Sequence, residues 1–307
     1  MADITLIGGS GLIGTALSES LLAEGHRVRV LDLVAPQQHL AAAVEWIYCD
    51  VRDRAQLEAL APCDTVYLLA ALLGKGCAEN PENGWKTNVL GQVNAIDAIR
   101  QLSSPPAVCF LSSASVYRAA DKSGPISESA PLQPRSLYAA SKMMGEDLLR
   151  AAGSAFGLRS YVLRPFTVYG PGPGSARKGH FVSTWMERAL AGEPLVVHGE
   201  GRQTVDLAHV SDLAVLCRLA AQAAIASTDV PVLNVGGGMA TSLLDVLAWI
   251  REYVPEVRCR FDASVKPVEH RHWADIGAAQ RMIGYVPKVH PRDGVAALIK
   301  NQLARRS

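Results

Sequence analysis

The sequence predicts an α/β protein in which a doubly wound parallel sheet is followed by a smaller α/β region. Through the first half, short apolar runs alternate with helical patterns, and such repeats pair their strands in parallel through right-handed crossovers. Some runs are apolar throughout, as in VYLLAA at residues 66–71, which is typical of strands covered by helices on both faces. The alternation ends near Thr167, where a different kind of region begins.

The elements of the first half follow one another closely. Each predicted strand is a short apolar run, and each predicted helix has an apolar stripe at helical spacing. One helix starts at Ser136, whose hydroxyl is a good N-cap, and we expect it to end at Gly153. The predicted strands are residues 3–8, 27–33, 44–50, 64–71, 107–113 and 159–165, and the predicted helices are residues 12–25, 52–60, 81–102 and 136–153.

The second half begins with a loop, because residues 169–179 are rich in glycine, proline and basic residues. We divide the chain into a sheet domain, residues 1–168, and a smaller region, residues 169–307, which caps the sheet and returns segments to it. The elements predicted in this region are strands at residues 195–199 and 232–237 and helices at residues 180–191, 211–223 and 243–253.

Composition excludes several classes of protein. The chain has 307 residues, of which 49% are hydrophobic and 19% charged, and its net charge of +1 provides no footprint for nucleic acid or an anionic membrane. No apolar run approaches the roughly 20 residues of a membrane span. The six cysteines form no C-x-x-C pair and the eight histidines form no H-E-x-x-H motif. We therefore expect reduced thiols, a cytoplasmic location and no metal.

The motif GGSGLIG, residues 8–14, follows the first strand and opens the first helix. Glycines there permit a tight turn and let backbone N–H groups approach the diphosphate of a dinucleotide. A glycine-rich turn without a ligand is the alternative, but the strand–turn–helix context favours a cofactor site. The contacts predicted within the motif are Gly8, Gly11, Leu12, Ile13 and Gly14.

Two later carboxylates extend this predicted site. Asp32 closes the second strand eighteen residues after Gly14, where it would accept hydrogen bonds from a ribose 2′-hydroxyl and repel a 2′-phosphate. NAD is therefore favoured over NADP. Asp50 and Val51 end the third strand, at the edge where the adenine would lie. For Asp50, a role as the cap of the following helix is an equally good interpretation.

The segment SLYAASK, residues 136–142, raises the question of chemistry. Tyr138 and Lys142 are four residues apart, so a helix would place both side chains on one face. Such a pair is common on exposed helices and proves little alone. Ser113, however, ends the fifth strand twenty-five residues earlier, at the sheet edge where ligands bind. A hydroxyl bonded only to local backbone is the alternative for this serine.

Together these motifs resemble the extended short-chain dehydrogenase/reductase family, in its NAD-dependent sugar-nucleotide epimerase and dehydratase branch. The resemblance runs nearly end to end and implies a Rossmann sheet with a C-terminal substrate-binding region. Beyond the glycine turn, Asp32 and YAASK, its motifs are LAA at 69–71, NVLG at 88–91, SSASVY at 112–117, LRPFTVYGPG at 163–172, LVVHGEGRQTVDLAHVSDLA at 195–214, LNVGGG at 233–238 and IGYVP at 283–287.

The resemblance implies roles for the chemistry-bearing residues: Tyr138 as acid/base, Lys142 as its activator and ribose anchor, and Ser113 as the hydroxyl that holds the substrate oxygen. A free phenol has a pKa of about 10, and we expect Lys142 and a positively charged nicotinamide to lower it by about three units, which requires roughly 4 kcal/mol. Further cofactor contacts are implied at Leu69, Ala70, Ala71, Asn88 and Pro165, and further substrate contacts at Thr167, His180, Arg202 and Arg271.

The chain departs from the family pattern at the substrate. Dehydratases of this branch carry an acidic pair after the position of Ser113, and Ala114 and Ser115 stand there instead, which disfavours a 4,6-dehydratase. Val205 replaces an arginine that reaches a nucleotide-sugar phosphate, and Thr167 occupies a position usually filled by asparagine. Residues that could supply compensating charge, or be solvated surface residues, are Arg177, Lys178, Arg202 and Arg271, the last being the best candidate.

Three functions follow as hypotheses. The preferred one is an NAD-dependent epimerase that acts on a nucleotide sugar at C4. The second is a dehydrogenase or ketoreductase for a sugar or hydroxy compound without a nucleotide, and the third is a non-enzymatic NAD-binding regulator. The resemblance also implies a homodimer built from the 81–102 helix and the Tyr138 helix. Apolar positions that could form that interface, or pack on the sheet instead, are Val89, Val93, Ile96 and Ile99.

Overall fold

The computed structural model describes residues 1–118, 123–173, 181–223, 230–264 and 272–304. Its strands are β1 Asp3–Ile7, β2 Arg27–Asp32, β3 Glu45–Tyr48, β4 Thr65–Leu68, β5 Ala107–Leu111, β6 Gly124–Ile126, β7 Ser160–Pro165, β8 Thr167–Tyr169, β9 Leu195–His198, β10 Thr204–Val205, β11 Leu207–His209, β12 Val232–Val235, β13 Thr241–Ser242, β14 Cys259–Asp262 and β15 His272–Ala274. Its α-helices are α1 Leu12–Ala23, α2 Gly74–Glu79, α3 Pro81–Trp85, α4 Gly91–Arg100, α5 Leu137–Phe156, α6 Phe181–Leu190, α7 Val210–Ala223, α8 Leu243–Arg251, α9 Gly277–Ile283 and α10 Pro291–Ala304.

Seven parallel strands form the central sheet, in the order β12-β7-β5-β4-β1-β2-β3. Strand β1 lies between β2 and β4, with Ile4 paired to Val28 on one side and to Thr65 on the other. The strand order therefore reverses at β1, and a crevice opens at the carboxyl ends of β1 and β4. The predicted doubly wound parallel sheet is confirmed.

Strand β12 comes from the second half of the chain and completes the sheet. It pairs in parallel with β7, with Val232 opposite Val162. A segment beyond residue 169 thus returns to the central sheet. The division at residues 1–168 and 169–307 itself stays a prediction.

Buried apolar side chains cover both faces of the sheet. On one face, α1 and α7 pack against strand residues such as Leu6 and Val30. On the other, α4 and α5 pack against residues such as Ile7 and Val108. A third cluster joins α6, α8 and α10 in the second half of the chain. Burial on both faces explains why the strand sequences are apolar without alternation.

Two helices differ from the prediction. Helix α5 continues through Gly153 and ends at Gly157, which has φ +67 and supplies the left-handed C-cap. Gly153 is buried within the helix and does not terminate it. The predicted 81–102 helix forms as α3, a π-helical turn at Lys86–Leu90, and α4. The predicted 52–60 helix is a 3-10 helix, Arg54–Ala59, that Asp53 caps.

Candidate active site

The glycine turn between β1 and α1 is too crowded for side chains at two positions. Gly8 has φ +87, and a Cβ there would lie 2.3 Å from the Ala70 nitrogen. A Cβ at Gly14 would lie 2.2 Å from the Gly9 carbonyl oxygen. Both contacts are with backbone, which cannot move aside cheaply, so glycine is required for this turn.

The turn leaves the N-terminus of α1 available to an anion. Gly11 is its N-cap, and no side chain of the described residues caps the helix. A Cβ at Gly11 would meet open space, so the approach to this end of the helix is clear. Uncapped N–H groups with the positive end of the helix dipole fit the diphosphate of NAD, and the contacts of Leu12, Ile13 and Gly14 with it stay predictions.

Asp32 lies directly beside the glycine turn. Its carboxylate accepts hydrogen bonds from the backbone nitrogens of Ser10, at 2.9 Å, and Val34, at 3.0 Å. The Ser10 hydroxyl donates to the Val34 carbonyl at 2.6 Å, which fixes the two loops together. Each carboxylate oxygen can accept a further bond, so Asp32 is oriented and still able to bind a ribose hydroxyl. This geometry fits NAD.

Asp50 forms an ion pair with Arg52. The guanidinium donates to both carboxylate oxygens, and these hydrogen bonds hold the pKa of Asp50 below its usual range. Asp53, and not Asp50, caps the 3-10 helix, so the capping alternative for Asp50 is wrong. Val51 is buried against Gly91. Contact of Asp50 and Val51 with an adenine stays a prediction.

The loop after β4 is held from two sides. The nitrogens of Leu69 and Ala70 both donate to the Ile7 carbonyl, at 2.8 and 2.9 Å. The Asn88 side chain accepts from the Leu72 nitrogen at 2.7 Å and donates to the Ser141 hydroxyl at 3.0 Å. Asn88 thus joins this loop to α5, a positioning role that the sequence did not reveal. Direct cofactor contacts of Leu69, Ala70, Ala71, Asn88 and the buried Pro165 stay predictions.

Helix α5 brings the predicted catalytic pair to the same edge of the sheet. Ser136 caps the helix by accepting a hydrogen bond from the Ala139 nitrogen at 3.1 Å. One turn later, the Lys142 ammonium lies 5.8 Å from the centroid of the Tyr138 ring. It donates to the Leu111 carbonyl at 2.7 Å and is only 3% exposed. Burial lowers the pKa of Lys142 to about 8.

In the protein alone, the pKa of Tyr138 is not lowered. Burial raises the pKa of Tyr138 to about 12, although a hydrogen bond with the Ser113 side chain opposes this rise. Lys142 contributes nothing comparable, since it donates to Leu111 and burial weakens its own charge. The predicted lowering of the Tyr138 pKa assigns part of the positive charge to a nicotinamide, so it stays a prediction. Any lowering needs additional positive charge at the site.

Ser113 occupies the turn at the end of β5. Its extended backbone precedes a single 3-10 turn, Ala114–Val116, and its hydroxyl oxygen accepts hydrogen bonds from Ser115. It also bonds to Tyr138. The local-backbone alternative is thus only part of its environment, and the structure brings Ser113, Tyr138 and Lys142 together as predicted.

A buried ion pair beneath this group was not identified from the sequence. Glu146 is 0% exposed and accepts hydrogen bonds from Ser112 at 2.6 Å and from Arg164 at 2.6 and 2.9 Å. Burial opposes ionisation of Glu146, but the bonds from Arg164 and Ser112 outweigh it and hold its pKa below the usual range. The pair links α5 to the ends of β5 and β7. The only sequence signal was an Arg in an otherwise apolar strand.

The substrate side of the site is built around Asp206. Its buried carboxylate accepts hydrogen bonds from the nitrogens of Gly237, Gly238 and Ala274, so it joins the link between β10 and β11 to the loop after β12 and to the end of β15. The neighbouring Val205 packs against the third apolar cluster. The Thr167 nitrogen donates to the Asp206 carbonyl at 2.9 Å, which leaves its side chain at the carboxyl edge of the sheet.

The predicted cationic contacts receive little support. Arg202 is exposed and lies 3.4 Å from Glu200, so it pairs at the surface. His180 and Arg271 lie outside the described residues, as do Arg177 and Lys178. Contacts of Thr167, His180, Arg202 and Arg271 with a substrate stay predictions.

A glycine turn, a carboxylate beside it and a Ser–Tyr–Lys group at one edge of a parallel sheet define the class of α/β enzymes that combine a dinucleotide with acid/base chemistry. Comparison with known proteins agrees with this class of enzyme. Residues 4–236 match the model of the "NAD dependent epimerase/dehydratase family". The chain belongs to this family.

Relatives and solved structures show what the chain is similar to. It is 25% identical over 305 residues to a putative UDP-glucose 4-epimerase of Methanocaldococcus jannaschii, which covers 96% of this chain and 97% of the relative. It is 30% identical to UDP-glucuronate 4-epimerase 3 of Arabidopsis thaliana, which covers 95% and 74%. The structure of MoeE5 in complex with UDP-glucose and NAD superposes with a TM-score of 0.87 at 29% identity, over 99% and 100% of the two chains.

In the described part of the chain, no helix has the length and apolar character needed to cross a membrane. All six cysteines are free. The cytoplasmic location stays a prediction.

Proposed function

We propose that this protein is an NAD-dependent epimerase that inverts C4 of a nucleotide sugar. One observation carries the proposal: the side chain of Ser113 interacts with that of Tyr138, and Lys142 lies one helical turn away, at the same sheet edge as the uncapped glycine turn and Asp32. The similarity to proteins named UDP-glucose 4-epimerase and UDP-glucuronate 4-epimerase supports a nucleotide sugar as the substrate.

Each residue has a defined task in this reaction. Tyr138 takes the proton from the C4 hydroxyl and returns it after the sugar has turned, while Ser113 holds the same oxygen. The N-terminus of α1 and Asp32 would hold the diphosphate and adenosine ribose of NAD, and Lys142 the ribose near the reacting carbon. NAD, when bound, supplies a hydride acceptor that also returns the hydride, and its positive nicotinamide adds charge that favours the phenolate of Tyr138.

The test is conversion of UDP-glucose or UDP-glucuronate to the C4 epimer with no net formation of NADH. We expect Tyr138→Phe to lower kcat by about 10²–10⁴-fold, because it removes the acid/base group. Tyr253→Phe is the control, since Tyr253 packs beside α8, far along the chain from this site, and should keep wild-type activity. An active Tyr138→Phe protein would refute the assignment of the acid/base.

A second candidate is a dehydrogenase or ketoreductase whose substrate lacks a nucleotide. Val205 favours it, because valine packed on an apolar cluster cannot make the charge-assisted phosphate contact of an arginine. A thermal-shift panel with NAD separates the two functions. A ligand at 100 times its Kd adds about 2.7 kcal/mol of stability. Stabilisation by a free sugar but by no nucleotide sugar, with stoichiometric NADH formation, would favour this second function.

We also propose that the protein is a homodimer. Val89, Ile96 and Ile99 are buried in the monomer, so of the four positions considered only Val93, 40% exposed, is available to a partner. Ile96 and Ile99 pack in the apolar cluster against the sheet, as the alternative has it. Apolar side chains that accompany Val93 on the exposed surface of these helices are Trp85, Leu90 and Leu137.

A further inference from the structure

Ser115 is in direct contact with the catalytic serine and has no task in the reaction described above. The 3-10 turn at Ala114–Val116 folds residue 115 back over residue 113. The oxygen of the Ser113 hydroxyl accepts two hydrogen bonds from Ser115, one from its backbone nitrogen at 3.2 Å and one from its hydroxyl at 2.9 Å.

These two bonds determine which partner Ser113 can serve. A serine hydroxyl has one proton to donate and two lone pairs that accept. Ser115 fills both acceptor positions, so the remaining capacity of Ser113 is as a donor. The Tyr138 side chain, whose pKa the Ser113 hydroxyl lowers, is the neighbour that can accept this proton.

We propose that Ser115 is a positioning residue that fixes Ser113 as a hydrogen-bond donor, toward the Tyr138 oxygen in the free protein and toward the reacting oxygen of the substrate when substrate is bound. The donation to the substrate oxygen rests on the proposed epimerase function. The donation to the Tyr138 oxygen concerns the protein alone.

The direction of this hydrogen bond matters for the acid/base group. A donor aimed at the phenolic oxygen stabilises the phenolate and counters the effect of burial. A donor aimed at the substrate oxygen stabilises the negative charge that develops there. Without the Ser115 hydroxyl, Ser113 can rotate and accept the Tyr138 proton instead, which would favour the neutral phenol and leave the base less available.

The experiment compares Ser115→Ala with Ser115→Thr, which keeps the hydroxyl, and with Ser129→Ala. Ser129 is a matched control: it is exposed and its hydroxyl lies 2.9 Å from that of Ser127, two residues away, as Ser115 does from Ser113. Tyr138 ionisation is followed by ultraviolet absorbance in protein with and without NAD, with the Tyr138→Phe protein subtracted. Epimerisation of UDP-glucose is measured across the same pH range.

We expect Ser115→Ala to move the ionisation of Tyr138 and the rising limb of kcat to higher pH, and to lower kcat about tenfold with KM nearly unchanged. Ser115→Thr should restore both, and Ser129→Ala should behave as wild type. The proposal is overturned if Tyr138 ionises in Ser115→Ala as in the wild type, or if KM alone rises, which would mean that Ser115 only contacts substrate. If the wild type converts no nucleotide sugar, the proposed function fails, while the absorbance titration still decides the role of Ser115.

Discussion

The buried charge of Lys142 lowers the stability of the folded protein at a position that is predicted to be catalytic. Its ammonium is buried, and the shift of its pKa from 10.5 to about 8 corresponds to a cost on the order of 3 kcal/mol for keeping the charge inside. We expect Lys142→Met to abolish activity and to stabilise the free protein by about 1–3 kcal/mol, because an apolar chain of similar length replaces the charge. Denaturant unfolding measures the change, with the exposed Lys75→Met as the control.

The same residue predicts a pH dependence. The folded-state pKa is below the unfolded value, so between pH 8 and 10.5 the unfolded chain holds more protons and stability rises with pH. Below pH 8 both states are protonated and the full cost of burial remains. The stability advantage of Lys142→Met should therefore shrink as the pH is raised from 8 to 10.5. An advantage that is constant across this window would show that Lys142 is not buried with its charge.

The sequence predicted the identity of these residues better than their chemistry. Spacing on a helix and at a strand end, together with the family resemblance, predicted that Ser113, Tyr138 and Lys142 come together. The lowered Tyr138 pKa expected from Lys142 and a nicotinamide together stays a prediction, and in the protein alone the pKa depends on how much of the ring is buried and on the Leu111 carbonyl that Lys142 contacts. Neither quantity follows from spacing, since both are set by tertiary packing.

At the scale of elements, the ion pair of Glu146 and Arg164 fixes α5 against the sheet. Glu146 is two helical turns beyond Tyr138 on the same face, and Arg164 lies on β7. Glu146→Gln should destabilise the protein by about 3–5 kcal/mol, because it leaves Arg164 charged and buried without its partner. Urea unfolding measures this. Glu82→Gln, which removes an exposed pair with Lys86 in another helix, should have no measurable effect, and equal effects of both substitutions would contradict the anchoring role.

Ion pairs between residues far apart in the chain, such as that of Glu146 and Arg164, could not be predicted from the sequence. The helix containing Glu146 was predicted, but its end was placed at Gly153 because a glycine near a helix terminus resembles a C-cap. Glu146 itself looked like an ordinary helix former. Its burial, and its bonds to Ser112 and Arg164, require the parallel order β7-β5-β4, which periodicity predicts only as a class of sheet.

For the whole molecule, the alternation of strands and helices along the chain predicted the central parallel sheet correctly. The remaining question is how two copies of the chain associate. Val93 lies on α4 with 40% of its surface exposed, although most apolar positions of that helix are buried. If two copies pair through this surface, Val93→Glu would place two like charges in an apolar contact, and the desolvation cost should convert the dimer to monomer. Sedimentation velocity at micromolar concentration measures the mass. Leu303→Glu is matched in exposure at 40% but lies on α10, so it should leave the dimer intact. A monomeric wild type, or a Val93→Glu protein that remains dimeric, would exclude this interface, and dissociation by Leu303→Glu would place the interface at α10 instead.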